Sequence, residues 1–124
     1  MSSPAKRVLL VDDDEGILVS LQCALEHEGY EVILARDGAE ALARIERDVP
    51  DLVVLDVVMP RRSGLMVLDR IHRFHHGSPP VILLTGNDEP RHREFATSRG
   101  VAAFLPKPFD MRDLLSAVHT RLRA

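Results

Sequence analysis

Cysteine is almost missing from this chain of 124 residues: Cys23 stands alone. No disulfide can form within the chain, which suits a reducing compartment, and Cys23 is expected to serve in packing. A long apolar run is missing as well. The opening Met-Ser-Ser-Pro-Ala-Lys-Arg leads into four apolar residues, Val8 to Val11, and then into three aspartates. Neither a signal peptide nor a membrane span reads from that pattern, and a cytoplasmic location is expected. There is no excess of basic charge either. Lys and Arg number 16 against 19 Asp and Glu, a formal net charge of −3. A mixed surface of this kind gives no footprint for nucleic acid or membrane, so any DNA-binding part is expected outside these residues. Repeats, linkers and low-complexity stretches are absent too. A single domain over 1–124 is expected, with a short disordered N-terminus over about 1–5. A domain of this length buries roughly two thirds of the surface its unfolded chain exposes, enough to fold without staples.

What is present is a recurring arrangement. Four short apolar runs each end in a residue type suited to phosphoryl chemistry: Val8 to Val11 into Asp12-Asp13, Leu52 to Leu55 into Asp56, Val81 to Leu84 into Thr85, and Phe104-Leu105-Pro106 into Lys107. If these runs are parallel strands of one open sheet, their carboxyl ends share one edge, where ligands of such sheets bind. Three carboxylates, a hydroxyl and an ammonium would then converge.

The segments between the runs read as helices. Ile17, Leu18, Leu21, Ala24 and Leu25 follow helical spacing, predicting a helix over about 16–28 that stops at Gly29. Tyr30 to Ala35 reads as a strand, Asp37-Gly38 as a turn, and Ala39, Leu42, Ala43 and Ile45 as one face of a second helix. Leu52-Val53-Val54-Leu55 is continuous, as expected of a central strand covered on both faces. Leu65, Leu68 and Ile71 mark a third helix that frays around His75-His76-Gly77, before Ser78-Pro79-Pro80 blocks further helix. Val81 to Leu84 is a second continuous strand. A short helix with little apolar surface is predicted from about Pro90 to Arg99, stopped by Gly100. Val101 to Leu105 supplies the last strand, Asp110 an N-cap, and Leu114, Leu115, Val118 and Leu122 the last helix. Five strand-then-helix units predict an α/β domain of (βα)5 type, a parallel sheet with helices on both faces.

Taken in order, these motifs resemble the response-regulator receiver domain of two-component signalling, the CheY-like superfamily, over nearly the whole chain. Val-Asp-Asp at 11–13 resembles the family's acidic pair, Leu-Asp-Val-Val-Met-Pro at 55–60 its phosphoacceptor segment, Leu-Thr-Gly at 84–86 its switch threonine, and Leu-Pro-Lys-Pro-Phe at 105–109 its lysine loop. The resemblance implies a doubly wound, flavodoxin-like strand order 2-1-3-4-5 and a cytoplasmic signalling domain that is not an enzyme. Asp56 would be the phosphoacceptor, taking a phosphoryl group from a sensor histidine kinase or histidine phosphotransfer protein. Asp13 and Asp56 would bind Mg²⁺ directly, with Mn²⁺ as a substitute, Asp12 through water, and the backbone carbonyl of Val58 would complete the protein ligands. Hard oxygen ligands suit this cation, and a carboxylate can form an aspartyl phosphate. Lys107 and Thr85 would neutralise and bind the phosphoryl oxygens, and the Lys107–Pro108 bond is the cis-peptide candidate.

The resemblance also makes Thr85 and Phe104 the switch pair, with output or dimerisation through the fourth helix, fifth strand and fifth helix. Phe104 stands where some relatives carry Tyr and lacks a hydroxyl to latch its buried state. Taken singly, the residues have plainer readings. Asp12 to Glu15 reads as a solvated loop before a helix, Lys107 as a surface lysine and Phe104 as core. His72, His75 and His76 suit a helix C-terminus and solvent better than a metal. Asp12-Asp13-Asp14 after a strand also fits the nucleophile motif of haloacid-dehalogenase-like phosphohydrolases, although the order of Asp56 before Thr85 runs against it. A receiver-like interaction module that takes no phosphate is the third alternative.

Overall fold

The computed structural model describes residues 4–57, 63–74, 79–86 and 90–123. Five strands alternate with five helices: β1 Arg7–Val11, α1 Glu15–His27, β2 Glu31–Ala35, α2 Gly38–Arg47, β3 Leu52–Asp56, α3 Gly64–Phe74, β4 Val81–Thr85, α4 Pro90–Ser98, β5 Ala103–Pro106 and α5 Met111–Leu122. All strand pairs are parallel, in the order β2-β1-β3-β4-β5. This is the expected fold and strand order.

Alternation along the strands divides the apolar residues between two cores. Leu9, Val11, Val53, Leu55 and Leu83 face a layer that includes Ile45, Leu68, Ile71 and Ala96 of α2, α3 and α4. Val8, Leu10, Leu52, Val54, Ile82 and Leu84 face Leu18, Leu21, Leu25, Leu114 and Val118 of α1 and α5. Every residue of β3 and β4 is buried, which is why both read as unbroken apolar runs.

Aspartates start three helices. The Asp14 side chain accepts from Ile17 N, Asp37 from Glu40 N and Asp110 from Arg112 N, each satisfying an otherwise orphaned donor in a first helical turn. Gly29 and Gly100 follow α1 and α4 with φ of 93° and 71°, a left-handed conformation that other residues adopt at a cost. Two strands start later than expected, for one reason. Tyr30 N donates to Leu25 O and Val101 N to Ala96 O, so both backbone groups finish the preceding helix and are lost to the sheet. At the edge opposite the carboxyl ends, the Tyr30 hydroxyl is hydrogen-bonded to His119 Nδ1 of α5.

Cys23 departs from expectation: it is exposed. Leu18, Leu21 and Leu25 form the buried stripe of α1, and two residues on from Leu21 lies about 200° around the helix. The fraying of α3 expected at His75-His76-Gly77 falls outside the described residues. Among the described residues, no helix is long and apolar enough to cross a membrane.

Candidate functional site at the carboxyl edge of the sheet

Each polar residue that ends an apolar run is carried to the same edge. Asp12 follows β1 and its backbone N donates to Ala35 O at 3.1 Å, fastening it beside β2. Its Oδ1 accepts from Asp14 N at 3.0 Å. Asp56 ends β3, and Val57 N donates to Leu84 O at 3.0 Å. Thr85 ends β4, in register with Pro106 of β5, and its carbonyl accepts from Lys107 N at 2.7 Å. Asp12, Asp56 and Thr85 are the buried polar residues of the described structure, at 1%, 4% and 6% exposure. Asp13 beside them is exposed.

Lys107 reaches back across this edge. Its Nζ donates to Asp12 Oδ2 at 3.0 Å and lies 3.3 Å from Asp56 Oδ1. Burial alone would lower its pKa, but the Asp12 hydrogen bond and the Asp56 charge outweigh burial and hold it above the ordinary lysine value. The Lys107–Pro108 peptide is cis.

Asp12, Asp13 and Asp56 each offer a carboxylate oxygen, and these atoms lie within 4.8 Å of one another. Three carboxylates against one ammonium leave a net charge of minus two. Such a donor set fits a hard divalent cation, and the exposure of Asp13 leaves room for water in its coordination sphere. Val58 lies outside the described residues. So do His75 and His76, while His72 is exposed.

Gly64, the first residue of α3, is singled out by no sequence motif, yet it shapes the site. A Cβ built there would sit 2.0 Å from the carbonyl oxygen of Asp56 and 2.9 Å from Val57 Cα. Gly64 N donates to Val57 O at 2.8 Å, so the start of α3 closes directly onto the end of β3. A glycine before an amphipathic helix was the available signal, but it does not tell which backbone comes close. Also unforeseen is an open groove of about 750 Å³ beside the carboxylates, lined in part by Ile17, Leu21, Lys107, Phe109 and Met111.

Phe104 of β5 is half-buried and packs against the core shared by α2, α3 and α4. The Arg93 guanidinium of α4 lies over its ring, 4.8 Å from the centroid.

The family model described as the response regulator receiver domain matches residues 8–119. The chain belongs to the response regulator receiver domain family. It is 42% identical over 117 residues to response regulator MprA of Mycobacterium leprae (strain TN), a match covering 94% of this chain and 51% of that protein. Identity to response regulator MprA of Mycolicibacterium vanbaalenii is 43% over 117 residues, covering 94% and 50%. The receiver domain thus spans about half the length of these curated relatives. Among solved structures, the CheY-like response regulator receiver domain protein from Methanospirillum hungatei JF-1 superposes with a TM-score of 0.92 at 36% identity, covering 97% of this chain and 95% of that one. Membership of this family makes the receiver a two-component signalling domain and displaces the phosphohydrolase alternative.

Proposed function

We propose that this receiver domain is a phosphorylation switch with Asp56 as its acceptor. The observation that carries the reading is the meeting of three carboxylates and the Lys107 ammonium at the carboxyl edge of the sheet. A carboxylate oxygen of Asp56 attacks the phosphorus of a phosphohistidine, and a P–O bond forms as the P–N bond breaks. The departing imidazole takes a proton from solvent, and water later hydrolyses the acyl phosphate.

The residues divide the work. Asp13 and Asp56 would hold Mg²⁺ directly and Asp12 through water, with the carbonyl of Val58, outside the described residues, as the further protein ligand the resemblance implies. Bound there, Mg²⁺ supplies positive charge against the phosphoryl oxygens. Lys107, already beside Asp56, follows those oxygens as a point charge. The Thr85 hydroxyl donates to one of them. Its movement frees space for Phe104 to turn inward, which shifts the population of the face formed by α4, β5 and α5. Output, including dimerisation, passes through that face. The donor is a sensor histidine kinase or phosphotransfer protein, and the groove lined by Lys107 lies open beside the site.

Intact mass after incubation with Mg²⁺ and acetyl phosphate or phosphoramidate tests the reading. One base-labile phosphate is expected in the wild type and none in Asp56→Asn, Asp13→Asn or a metal-free control. No addition from small donors or from a panel of histidine kinases would overturn the switch and leave a phosphate-independent interaction module.

A further inference from the structure

Helix α4 is weakly held. Among its described residues Ala96 is the buried one, and its mean hydropathy is low because Arg91, His92, Arg93 and Glu94 fill its first half. Two side-chain ties compensate for this poor apolar face. At its C-terminal end the Arg99 Nε donates to Asp69 Oδ1 of α3 at 3.0 Å. In its first turn Arg93 lies over Phe104. This second tie touches the residue on which the proposed switch turns.

We infer that Arg93 is a positioning residue of the switch, a cation that holds the ring of Phe104 in its half-exposed packing until Asp56 is phosphorylated. The inference rests on the reading of Phe104 as the switch aromatic. A guanidinium within about 6 Å of a ring centroid is attracted by the negative face of the π system. Phe104 has no hydroxyl, so the ring face is the polar handle left to it. Turning the ring inward forfeits the contact, and Arg93 therefore opposes the turn. An inward turn in its absence costs less, and the equilibrium between the two ring positions moves toward the phosphorylated form. A partly exposed contact of this type corresponds to about a two- to five-fold change in that equilibrium. Arg93 takes part in further interactions, so its ring contact must be isolated from them.

Two readouts on the intact chain do so. The first is the initial rate of phosphorylation by phosphoramidate with Mg²⁺, followed by intact mass. The second is the NMR spectrum of the chain labelled with ¹³C-phenylalanine, with the Phe104 signal assigned by Phe104→Leu. Arg93→Gln is expected to raise the initial rate about two- to five-fold and to move the unphosphorylated Phe104 signal toward its phosphorylated position. Arg93→Lys should fall between Arg93→Gln and wild type. In a Phe104→Leu background, Arg93→Gln should change nothing, because the ring is gone. An equal rate change in that background, or an unchanged rate and signal while the wild-type signal still moves on phosphorylation, overturns the role of Arg93. A wild-type Phe104 signal that stays fixed when Asp56 carries phosphate overturns the switch reading itself and this role with it.

Discussion

A lysine between two buried aspartates carries opposite electrostatic burdens, and the sum explains its position. Burial disfavours the Lys107 ammonium, yet its positive charge offsets the negative charges of Asp12 and Asp56. All five polar strand-end residues, Asp12, Asp13, Asp56, Thr85 and Lys107, were legible in the sequence because each interrupts or closes an apolar run, where a polar group must have a reason. Gly64 was not legible. Its constraint is the approach of a backbone carbonyl eight residues earlier in the chain, which no local pattern encodes. Gly64→Ala places a methyl group against that carbonyl, so either α3 or the end of β3 must shift. The expected outcome is a loss of about 1–3 kcal/mol in urea unfolding, the usual range for overpacking a close-packed site. Because the atom struck belongs to Asp56, phosphorylation by a small donor should slow in the same variant. A Gly64→Ala chain as stable and as reactive as wild type would contradict the close approach.

At the scale of elements, α4 stands apart from the other helices. Its length and poverty in apolar residues were legible, as was the glycine that stops it. The ties that hold it were not, since Asp69 and Arg99 are 30 residues apart and look like ordinary surface charges. The hydrogen bonds from Arg99 and then Arg73 hold the Asp69 carboxyl below the ordinary carboxylate value of 3.8. A carboxylate with a depressed folded-state pKa contributes stability that is complete above its unfolded value and is lost as pH falls through the folded value. Asp69→Asn is therefore expected to unfold at lower urea than wild type near pH 7, with the difference closing below the carboxylate range. Amide exchange in α4 should quicken in the variant before that in β3 or β4 does, since local opening follows the least anchored element. Equal urea midpoints at neutral pH would show that the pair contributes nothing to the anchorage. Strand interiors were equally readable, but the starts of β2 and β5 were not. Tyr30 and Val101 look like strand residues and spend their backbone N–H groups on helix ends.

For the molecule as a whole, the alternation of five strands with five helices was enough to give a parallel sheet covered on both faces, and the order of the motifs was enough to give the family. The sheet separates two apolar cores, one beneath α2, α3 and α4 and the other beneath α1 and α5. Ile71→Val in the first core and Leu25→Ala in the second should cost about 0.5–1.5 and 2–5 kcal/mol respectively. Measured together by urea unfolding, they should sum to within about 0.5 kcal/mol, because no side chain is shared between them. A larger departure would mean that strain crosses the sheet. The division reaches beyond stability into inheritance. Epistasis among core substitutions should stay on the side of the sheet where it arises, so the layer that carries Phe104 and Arg93 can drift under one selection while the layer that borders the groove drifts under another. The two histories meet at the carboxyl edge, where Asp12, Asp56 and Lys107 answer to both.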